Sequence, residues 1–395
     1  MLYIQTVIVY TLLALLMSYC ALRSTSPSKQ AKLWGSLPIL LFTLVFGLRY
    51  GVGVDYNNYV EIYEETQNTY SSLRELIENE RYELGFSIIL YVCHFFEAPV
   101  YVLFSILAFI QIFLIYKTFN EENNILPYIY AVLIFSGLCM YSFMNIMRHE
   151  IAFCIFLFSV KYIRDNKLLK YLICCLLALT FHKSAILLFP LYFLWIRRKS
   201  IFNKPAIEVL FVLICFLGSF IIQWQNILHI FDNAIIMLGY ENYIEIADEM
   251  VVNSKIGITR ILNLAATIVI ILNSSKIKSF FNSSLLNIIY DLFIIGTCMS
   301  YLFIGSMMLG RIIVYFSHTH FVIWAYALSY LYQTRKHSLV QLTSYTTIIF
   351  SLFITYSSFI YNCKNNTGAY VSYFQTDLHA EKDNLRDIMI DKQNN

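Results

Sequence analysis

Long apolar runs recur along the whole chain, and most of them are separated by short polar connectors. The chain is 58% hydrophobic and only 13% charged, whereas a soluble domain usually carries about 25% charged residues. So little polar surface cannot cover a water-soluble globule, and the sequence therefore predicts an all-α polytopic integral membrane protein. The apolar runs lie at about 2–22, 34–48, 84–97, 99–117, 125–144, 150–163, 168–181, 184–196, 206–223, 258–273, 284–304, 312–331 and 338–360.

Basic residues are concentrated in particular connectors, and these set the orientation of the chain. Cytoplasmic loops of membrane proteins carry an excess of Lys and Arg, so we place these connectors in the cytoplasm. With this orientation both termini lie outside, and we expect about 12 transmembrane helices in a single transmembrane domain, residues 1–395. The basic connectors are Arg23/Lys29/Lys32, Lys117, Lys161/Arg164/Lys167/Lys170, Arg197/Arg198/Lys199/Lys204, Lys276/Lys278 and Arg335/Lys336.

The run from Leu84 to Glu97 is the exception. It spans roughly 21 Å as a helix, less than the roughly 30 Å of the hydrocarbon core. If all the basic connectors are cytoplasmic, the apolar runs before Lys117 also outnumber the required membrane crossings by one. A half-helix is tolerated at membrane depth only where protein or a water-filled cavity covers it. We therefore predict that this run is a short half or re-entrant helix.

Two long connectors and the C-terminal tail lie on the outer, periplasmic side in this topology. The first, 49–82, contains Ser72 and Glu75 at the spacing of a capping box, which predicts a short surface helix. The second, 224–257, carries apolar residues at helical spacing, which predicts a helix lying in the membrane interface. The tail, 361–395, is polar.

Four polar stretches stand at the ends of apolar runs, and the topology predicts that all four face the outer side. Arginine forks bind phosphate oxygens bidentately, so several arginines at one cavity suit a diphosphate. A histidine among them suits a general base near neutral pH. The stretches are Arg49 with Asp55, Asn145 to Glu150 with Arg148 and His149, Phe181 to Ser184 with His182 and Lys183, and Gly310 to Phe316 with Arg311 and Tyr315.

Each of these residues also has an ordinary structural explanation. A single arginine at a helix end is more often an anchor that reaches the membrane interface. Asp55 pairs with Arg49 and holds the loop in the simplest interpretation. His318 competes with His182 as the base, because it shares a helix face with Arg311. Only the shared side of the four stretches favours a functional site over four separate anchors.

The sequence carries no motif for a nucleotide, a cofactor or a metal. It has no Walker loop, no Gly-x-Gly-x-x-Gly after a strand, no Gly-x-Ser-x-Gly elbow and no His-Glu-x-x-His. The nine cysteines lie mostly inside apolar runs without Cys-x-x-Cys spacing, which is typical of small buried residues. We therefore expect no cofactor and no metal, and the net charge of +3 gives no reason to expect a nucleic-acid partner.

Several stretches resemble the EpsG/Wzy-type family of O-antigen and surface polysaccharide polymerases. The resemblance covers roughly residues 40–330, and the chain departs from it at His149, where the family commonly has a glutamine after the arginine. That departure leaves two roles open for His149, a substitute hydrogen-bonding group or a second titratable group. The similar stretches are Arg49 to Tyr56, Glu83 to Phe86, Asn145 to Ala152, Ala178 to Ala185, and Arg311 with Tyr315 and Phe316.

The resemblance implies a glycosyltransferase with the membrane bundle of the C superfamily, acting at the outer face of a bacterial inner membrane. Its substrates are expected to be oligosaccharide repeat units on undecaprenyl diphosphate. The growing chain is the donor and a single lipid-linked unit is the acceptor. Undecaprenyl diphosphate leaves when the acceptor hydroxyl attacks the anomeric carbon. A protein partner that regulates chain length is expected from the family as well.

The resemblance also assigns roles to the cationic residues. Arg148 and Arg311, helped by Lys183 or Arg49, are expected to bind the departing diphosphate. Fixed positive charge in a site shielded from water stabilises the negative charge that develops on such a leaving group. With arginines in this role, the reaction is expected to need no metal.

The proton acceptor is less sharply defined. His182 is the favoured base for the attacking hydroxyl, and Asp55 either orients that base or is itself the base. His149, Tyr315 and His318 are possible supporting residues, with His318 the second candidate for the base.

Two other functions remain open from the sequence. An O-antigen ligase, which transfers the finished glycan to lipid A core, needs the same arginines and base. A flippase for the lipid-linked unit is expected to show internal repeats and charges spread through the depth of the bundle. The chain shows neither feature, and the three family motifs likewise do not indicate a membrane acyltransferase.

Overall fold

The computed structural model describes residues 2–26, 29–69, 72–78, 81–122, 124–195, 200–220, 257–303, 307–334, 338–363 and 368–383. The described chain is 82% helical and forms no strands, which confirms the predicted all-α class. Its internal contacts divide it into two compact units, Met1–Phe189 with Leu352–Asn395 and Pro190–Ser351.

Both units are built from helices of very different lengths. The first unit contains α1 (Leu2–Ser24), α2 (Ala31–Gly47), α3 (Tyr56–Thr69), α4 (Leu73–Glu78), α5 (Leu84–Phe95), α6 (Val100–Phe119), α7 (Leu126–Phe135), α8 (Leu138–Asn145), α9 (Met147–Arg164) and α10 (Leu168–Leu179), with 3-10 turns at Asn120–Glu122, Lys183–Leu188 and Thr376–Leu378. The second unit contains α11 (Leu191–Leu194), α12 (Pro205–Gly218), α13 (Ile258–Phe281), α14 (Ser284–Leu302), α15 (Met307–Ser317) and α16 (Thr319–Gln333), and α17 (Leu339–Asn362) has residues in both units.

Six stretches of the described chain are long and apolar enough to cross a membrane, which confirms a multi-pass membrane protein. The number rises to seven if the bent pair α7 and α8 counts as one broken span. The predicted number of about 12 crossings is not confirmed, because several of the predicted runs form helices of 17 residues or fewer. The six stretches are Leu2–Ser24, Val100–Glu122, Ile258–Phe281, Ser284–Leu302, Leu309–Gln333 and Leu339–Asn362.

The predicted run at 125–144 is broken in its middle. Helices α7 and α8 meet at an angle of 83°, and Gly137 between them has a φ of 60°. A continuous helix cannot contain a residue in this left-handed region, which glycine adopts without steric penalty. A Cβ on Gly137 would also contact the Phe359 side chain, so the break fits closely against α17.

Both ends of helix α5 are bonded to other segments of the first unit. At its start, Gly85 N–H donates to the carbonyl of Thr180, just after α10 (2.8 Å). Just after its end, the carbonyl of Ala98 accepts a hydrogen bond from Tyr63 of α3. The helix has 12 residues, about 18 Å, and it is one of the apolar helices shorter than the candidate spans. That this run does not cross the membrane stays a prediction.

The two long connectors that the sequence places outside are only partly described. Ser72 caps α4, since its Oγ accepts a hydrogen bond from the N–H of Glu75 (3.3 Å), as the capping-box pattern predicts. Helix α3 in the same connector was not predicted. The predicted interfacial helix at 224–257 lies outside the described residues except for Gly257.

Residues 368–383, the C-terminal strap, fold back onto the turn that follows α2. The N–H of Tyr50 donates to the carbonyl of Val371 (2.8 Å), and the N–H of Tyr373 donates to the carbonyl of Leu48 (2.7 Å). The strap also reaches the start of α1, because the N–H of Tyr370 donates to Thr6 Oγ1 (2.9 Å). The polar tail predicted from the sequence therefore includes an ordered part of the first unit.

Lys382 fixes the end of this strap. Its side chain is only 2% exposed, and its Nζ donates to the carbonyl of Ala369 (2.6 Å). The aliphatic part lies against the turn, where a Cβ on Gly51 would be 3.0 Å from Lys382 Cγ.

In the second unit, a buried carboxylate joins α14 to the connector before α12. Asp291 is fully buried and accepts from Trp195 Nε1 (2.7 Å) and Ser200 Oγ (2.5 Å). It also accepts from the backbone N–H groups of Ile201 (2.7 Å) and Phe202 (3.2 Å). Four donors satisfy the carboxylate, so this contact determines how the connector packs.

Asp291→Ala tests that contact. The substitution leaves the buried indole N–H and two backbone N–H groups without their acceptor, so we expect the free energy of unfolding to fall by roughly 2–5 kcal/mol. The measurement is the thermal unfolding midpoint of the purified protein in detergent, with Asp377→Ala at an exposed position as the control. Equal midpoints for the two variants would contradict the assigned role.

Lys382 makes the stability of the first unit depend on pH. Burial lowers the pKa of its ammonium group from 10.5 to about 8. Between these values the unfolded chain binds more protons than the folded chain, so the free energy of unfolding rises as the pH increases from 8 to 10.5.

The change that isolates this effect is Lys382→Met. We expect the unfolding midpoint of the wild type to rise relative to that of the variant between about pH 8 and 10. Lys32→Met, at an exposed lysine, controls for general effects of charge. If the unfolding midpoints of the wild type and Lys382→Met change with pH in the same way, burial does not lower the pKa of this lysine.

Candidate functional site

The chain leaves α2 through a turn that contains two glycines. Gly51 and Gly53 have φ angles of 61° and 108°, where other residues are strained. Space is also limited, because a Cβ on Gly53 would lie 3.2 Å from Asn145 Oδ1 and 3.3 Å from the carbonyl oxygen of Met144. The backbone of the turn is therefore packed against the end of α8.

Arg49 holds this turn from the inside. Its side chain is completely buried, and it donates from Nε to the carbonyl of Val52 (3.2 Å) and from Nη1 to that of Phe46. Nη2 donates to the carbonyl of Met144 at the end of α8 (2.8 Å). Burial lowers the pKa of the guanidinium to about 10, so it stays charged at neutral pH. These contacts favour a structural role for Arg49 over the predicted contact with a diphosphate.

Asp55 ends the turn beside the same helix end. Its backbone N–H donates to Asn145 Oδ1 (3.0 Å), and its carbonyl accepts from the N–H of Tyr59 in α3 (3.0 Å). The Asp55 side chain is half-buried and acts electrostatically on the Tyr59 phenol. Burial raises the pKa of that phenol, which keeps it protonated at neutral pH. The first and second predicted stretches therefore meet.

Arg148, in the first turn of α9, forms an ion pair with Glu83 at the start of α5. Nη1 of Arg148 lies 2.7 Å from Glu83 Oε2, and the two side chains are 26% and 13% exposed. The Arg148 N–H also donates to the hydroxyl of Tyr59 (3.4 Å), and its guanidinium lies over the Phe86 ring, 5.2 Å from the centroid. The guanidinium is thus held in place but remains partly accessible.

Gly85 brings α5 against the turn that contains His182. A Cβ at this position would lie 2.6 Å from Thr180 Oγ1, 3.0 Å from the Thr180 carbonyl oxygen and 3.0 Å from the Phe181 ring. Only a glycine allows so close an approach. This contact places Glu83, two residues earlier, beside the Phe181–Ser184 stretch.

His182 caps the 3-10 turn that follows it. Its Nδ1 lies 2.6 Å from Ser184 Oγ and accepts from the Ser184 N–H at 3.4 Å. The side chain is 9% exposed. The hydroxyl and the backbone of Ser184 therefore fix the orientation of the imidazole through one ring nitrogen.

His149 lies directly against His182. The two ring centroids are 4.5 Å apart, with an angle of 78° between the ring planes, and His149 is 3% exposed. Lys183, the next residue after His182, is exposed. The second and third predicted stretches therefore meet through their histidines.

Three of the four predicted stretches thus lie together at one place in the first unit. That all four face the outer side stays a prediction. The sequence interpretation gave no role to Glu83 or Tyr59, although both contact Arg148. The Glu83–Phe86 resemblance was the one sequence signal for Glu83. Across the part of the chain that the structure describes, no three His, Cys, Asp or Glu side chains are grouped to hold a metal ion.

The fourth stretch belongs to the second unit. Arg311 is half-buried on α15, Tyr315 is buried on the same helix, and His318 lies 8% exposed at the junction with α16. Helix α15 crosses α14 at Gly296, where a Cβ would overlap the backbone of Phe316. The roles predicted for Arg311, Tyr315 and His318 stay predictions.

The fold and this convergence define a multi-pass membrane protein that gathers arginine, histidine and carboxylate groups at the ends of its helices. A family model described as the EpsG family matches residues 32–374. The match covers most of the chain, so the protein belongs to the EpsG family, and the resemblance predicted from the sequence is confirmed. Comparisons with curated proteins and with solved structures gave no match. Membership of this family indicates a polysaccharide polymerase-like role of the glycosyltransferase type.

Gly85→Ala tests whether α5 positions the site. The added methyl group overlaps Thr180, so we expect α5 and the His182 turn to separate, at a cost of about 1–3 kcal/mol in the free energy of unfolding. We also expect a clear loss of polymer in cells that depend on this protein.

Gly257→Ala is the matched control, because among the described residues a Cβ there meets only Thr259 Oγ1, at an ordinary contact distance of 3.5 Å. Thermal midpoints and the surface glycan are compared at equal protein level in the membrane. A Gly85→Ala variant indistinguishable from this control would show that the close contact does not position the site.

Proposed function

We propose that this protein is an O-antigen or exopolysaccharide polymerase that joins oligosaccharide repeat units carried on undecaprenyl diphosphate. One observation supports the proposal above the others. In a chain that belongs to the EpsG family, the stretches carrying Asp55, Arg148 and His182 lie together in one unit. That arrangement offers a cation, a candidate base and a carboxylate within one small region.

In the proposed reaction, Arg148 neutralises the departing diphosphate. Its guanidinium is 26% exposed and held at a defined position, and a fixed cation lowers the energy of a leaving group that gains negative charge. Lys183 is exposed beside His182 and is a second candidate for this contact. Arg311 is kept as a further candidate on the strength of its sequence motif.

His182 is the proposed base. The base requires the tautomer with the proton on Nδ1, which donates to Ser184 Oγ at 2.6 Å and gives up the longer contact in which Nδ1 accepts from the Ser184 N–H. In this tautomer the Nε2 lone pair faces the attacking hydroxyl. The sugar oxygen bonds to the anomeric carbon of the donor as its proton moves to Nε2. The bond from that carbon to the diphosphate oxygen breaks. Asp55 is the alternative base or the group that orients the acceptor.

The place and partners of the reaction follow from the same proposal. Basic connectors in the cytoplasm put the Arg49–Asp55 turn on the periplasmic side of a bacterial inner membrane. The lipid substrate enters from the bilayer, no metal takes part, and a separate protein regulates the chain length.

A deletion strain complemented with wild type, Arg148→Ala, His182→Ala or Arg311→Ala tests the proposal. Loss of a catalytic charge or base lowers the rate by roughly 10²–10⁴-fold, so we expect the glycan ladder on a gel to collapse to core plus one repeat unit. Arg74→Ala is the control, since its side chain is 86% exposed on α4.

Each outcome separates the proposed function from its rivals. Single repeat units on the surface of the deletion strain support a polymerase, whereas loss of all surface glycan indicates a ligase or a flippase. A normal ladder from His182→Ala, with normal protein level, would exclude His182 as the base and leave Asp55 or His318.

A further inference from the structure

Glu83 has no role in the proposed reaction, yet it makes the strongest side-chain contact with Arg148 that the structure shows. Its Oε2 lies 2.7 Å from Arg148 Nη1, and its side chain is 13% exposed. Glu83 occupies the N-cap position of α5, but its side chain makes no capping hydrogen bond to that helix. The Glu83 carboxylate is therefore directed at Arg148 and not at its own helix.

The backbone of Glu83 is held rigidly. Its carbonyl accepts from the N–H of Ser87 inside α5 (3.0 Å), and Gly85 N–H is bonded to the Thr180 carbonyl (2.8 Å). Because Gly85 has no Cβ, α5 can approach Thr180 closely enough for this hydrogen bond to form. The carboxylate therefore reaches Arg148 from a fixed point next to the His182 turn.

The second group on Arg148 is Tyr59. The phenol hydroxyl accepts from the Arg148 backbone N–H (3.4 Å) and also interacts with its guanidinium. A guanidinium has five N–H donors in one plane. Glu83 binds Nη1, and Tyr59 contacts the same guanidinium. These two partners therefore fix the plane in which the remaining N–H donors of Arg148 lie.

We propose that Glu83 is a positioning residue: its carboxylate holds the Arg148 guanidinium in the orientation that binds the diphosphate of the lipid-linked substrate. This inference rests on the proposed function, in which Arg148 contacts that diphosphate. Glu83 itself does not touch the reacting atoms and takes no proton. A half-buried ion pair contributes little net stability, so orientation of the cation is the property that the pair provides.

The test uses purified full-length protein and undecaprenyl diphosphate as the binding probe. Glu83→Ala removes the partner of Arg148, and we expect the affinity for the probe to fall about tenfold, the equivalent of one charge-assisted hydrogen bond. Glu83→Gln keeps an acceptor oxygen at the same place. We expect it to retain both the affinity and the glycan ladder within about threefold.

The matched control is Glu78 on α4. It pairs with Arg74 at 2.6 Å, but the two side chains are 61% and 86% exposed. Exposed pairs of this kind contribute about 0–1 kcal/mol, so Glu78→Ala and Glu78→Gln should both match the wild type in probe affinity.

The Arg148→Ala background shows whether Glu83 acts through the arginine. There we expect Glu83→Ala to change the probe affinity by less than about twofold, because the two effects are not additive when one residue works through the other. If Glu83→Ala does not reach the membrane, Glu83→Asp is tested in its place. The aspartate side chain is one methylene shorter, so its carboxylate lies farther from Arg148, and we expect weaker binding of the probe here as well.

Three results overturn the inference. Probe binding by Glu83→Ala at wild-type strength excludes positioning, and loss of the ladder in Glu83→Gln with probe binding retained makes the carboxylate a chemical participant. Additive effects in the Arg148→Ala background show that Glu83 acts elsewhere. Wild-type probe binding by Arg148→Ala alone is a different failure, because it removes the proposed function of Arg148 itself.

Discussion

The buried guanidinium of Arg49 donates hydrogen bonds to carbonyl groups at the ends of α2 and α8 and within the glycine turn. Helix ends leave several carbonyl groups without partners, and in a membrane bundle such groups are costly to bury. The Arg49 side chain satisfies two such carbonyl groups, those of Phe46 and Met144, together with the carbonyl of Val52 in the turn. The positions of Asp55, Asn145 and the first turn of α9 all depend on this contact.

Near Arg49, two charged side chains of the candidate site form an ion pair. The Arg148–Glu83 pair is only partly exposed, and pairs of this kind are weak contributors to stability. The two histidines lie against each other with little exposure, and the orientation of one is set by Ser184. Apolar residues would fill this region at lower cost, so its polar content is best explained by chemistry.

The sequence predicted the class of protein. It also predicted that four polar stretches face one side, since polar residues at the ends of apolar runs lie near a membrane surface, and three of the four lie together in the first unit. It could not show which atoms Arg49 meets, since that depends on the packing of α8. Nor could it pair Glu83 with Arg148, which are 65 positions apart. The predicted number of crossings is not confirmed, because apolar content does not reveal a break such as the one at Gly137 or which runs form short helices.

The C-terminal strap has a consequence for how the protein is made. Its residues bond to Tyr50 and Leu48 and cover Gly51, so the turn before Asp55 obtains its outer contacts from the last part of the chain. Translation delivers the turn long before the strap that covers it. The turn therefore gains these contacts only after residues 368–383 have been synthesised, so its packing depends on two segments that are far apart in the chain.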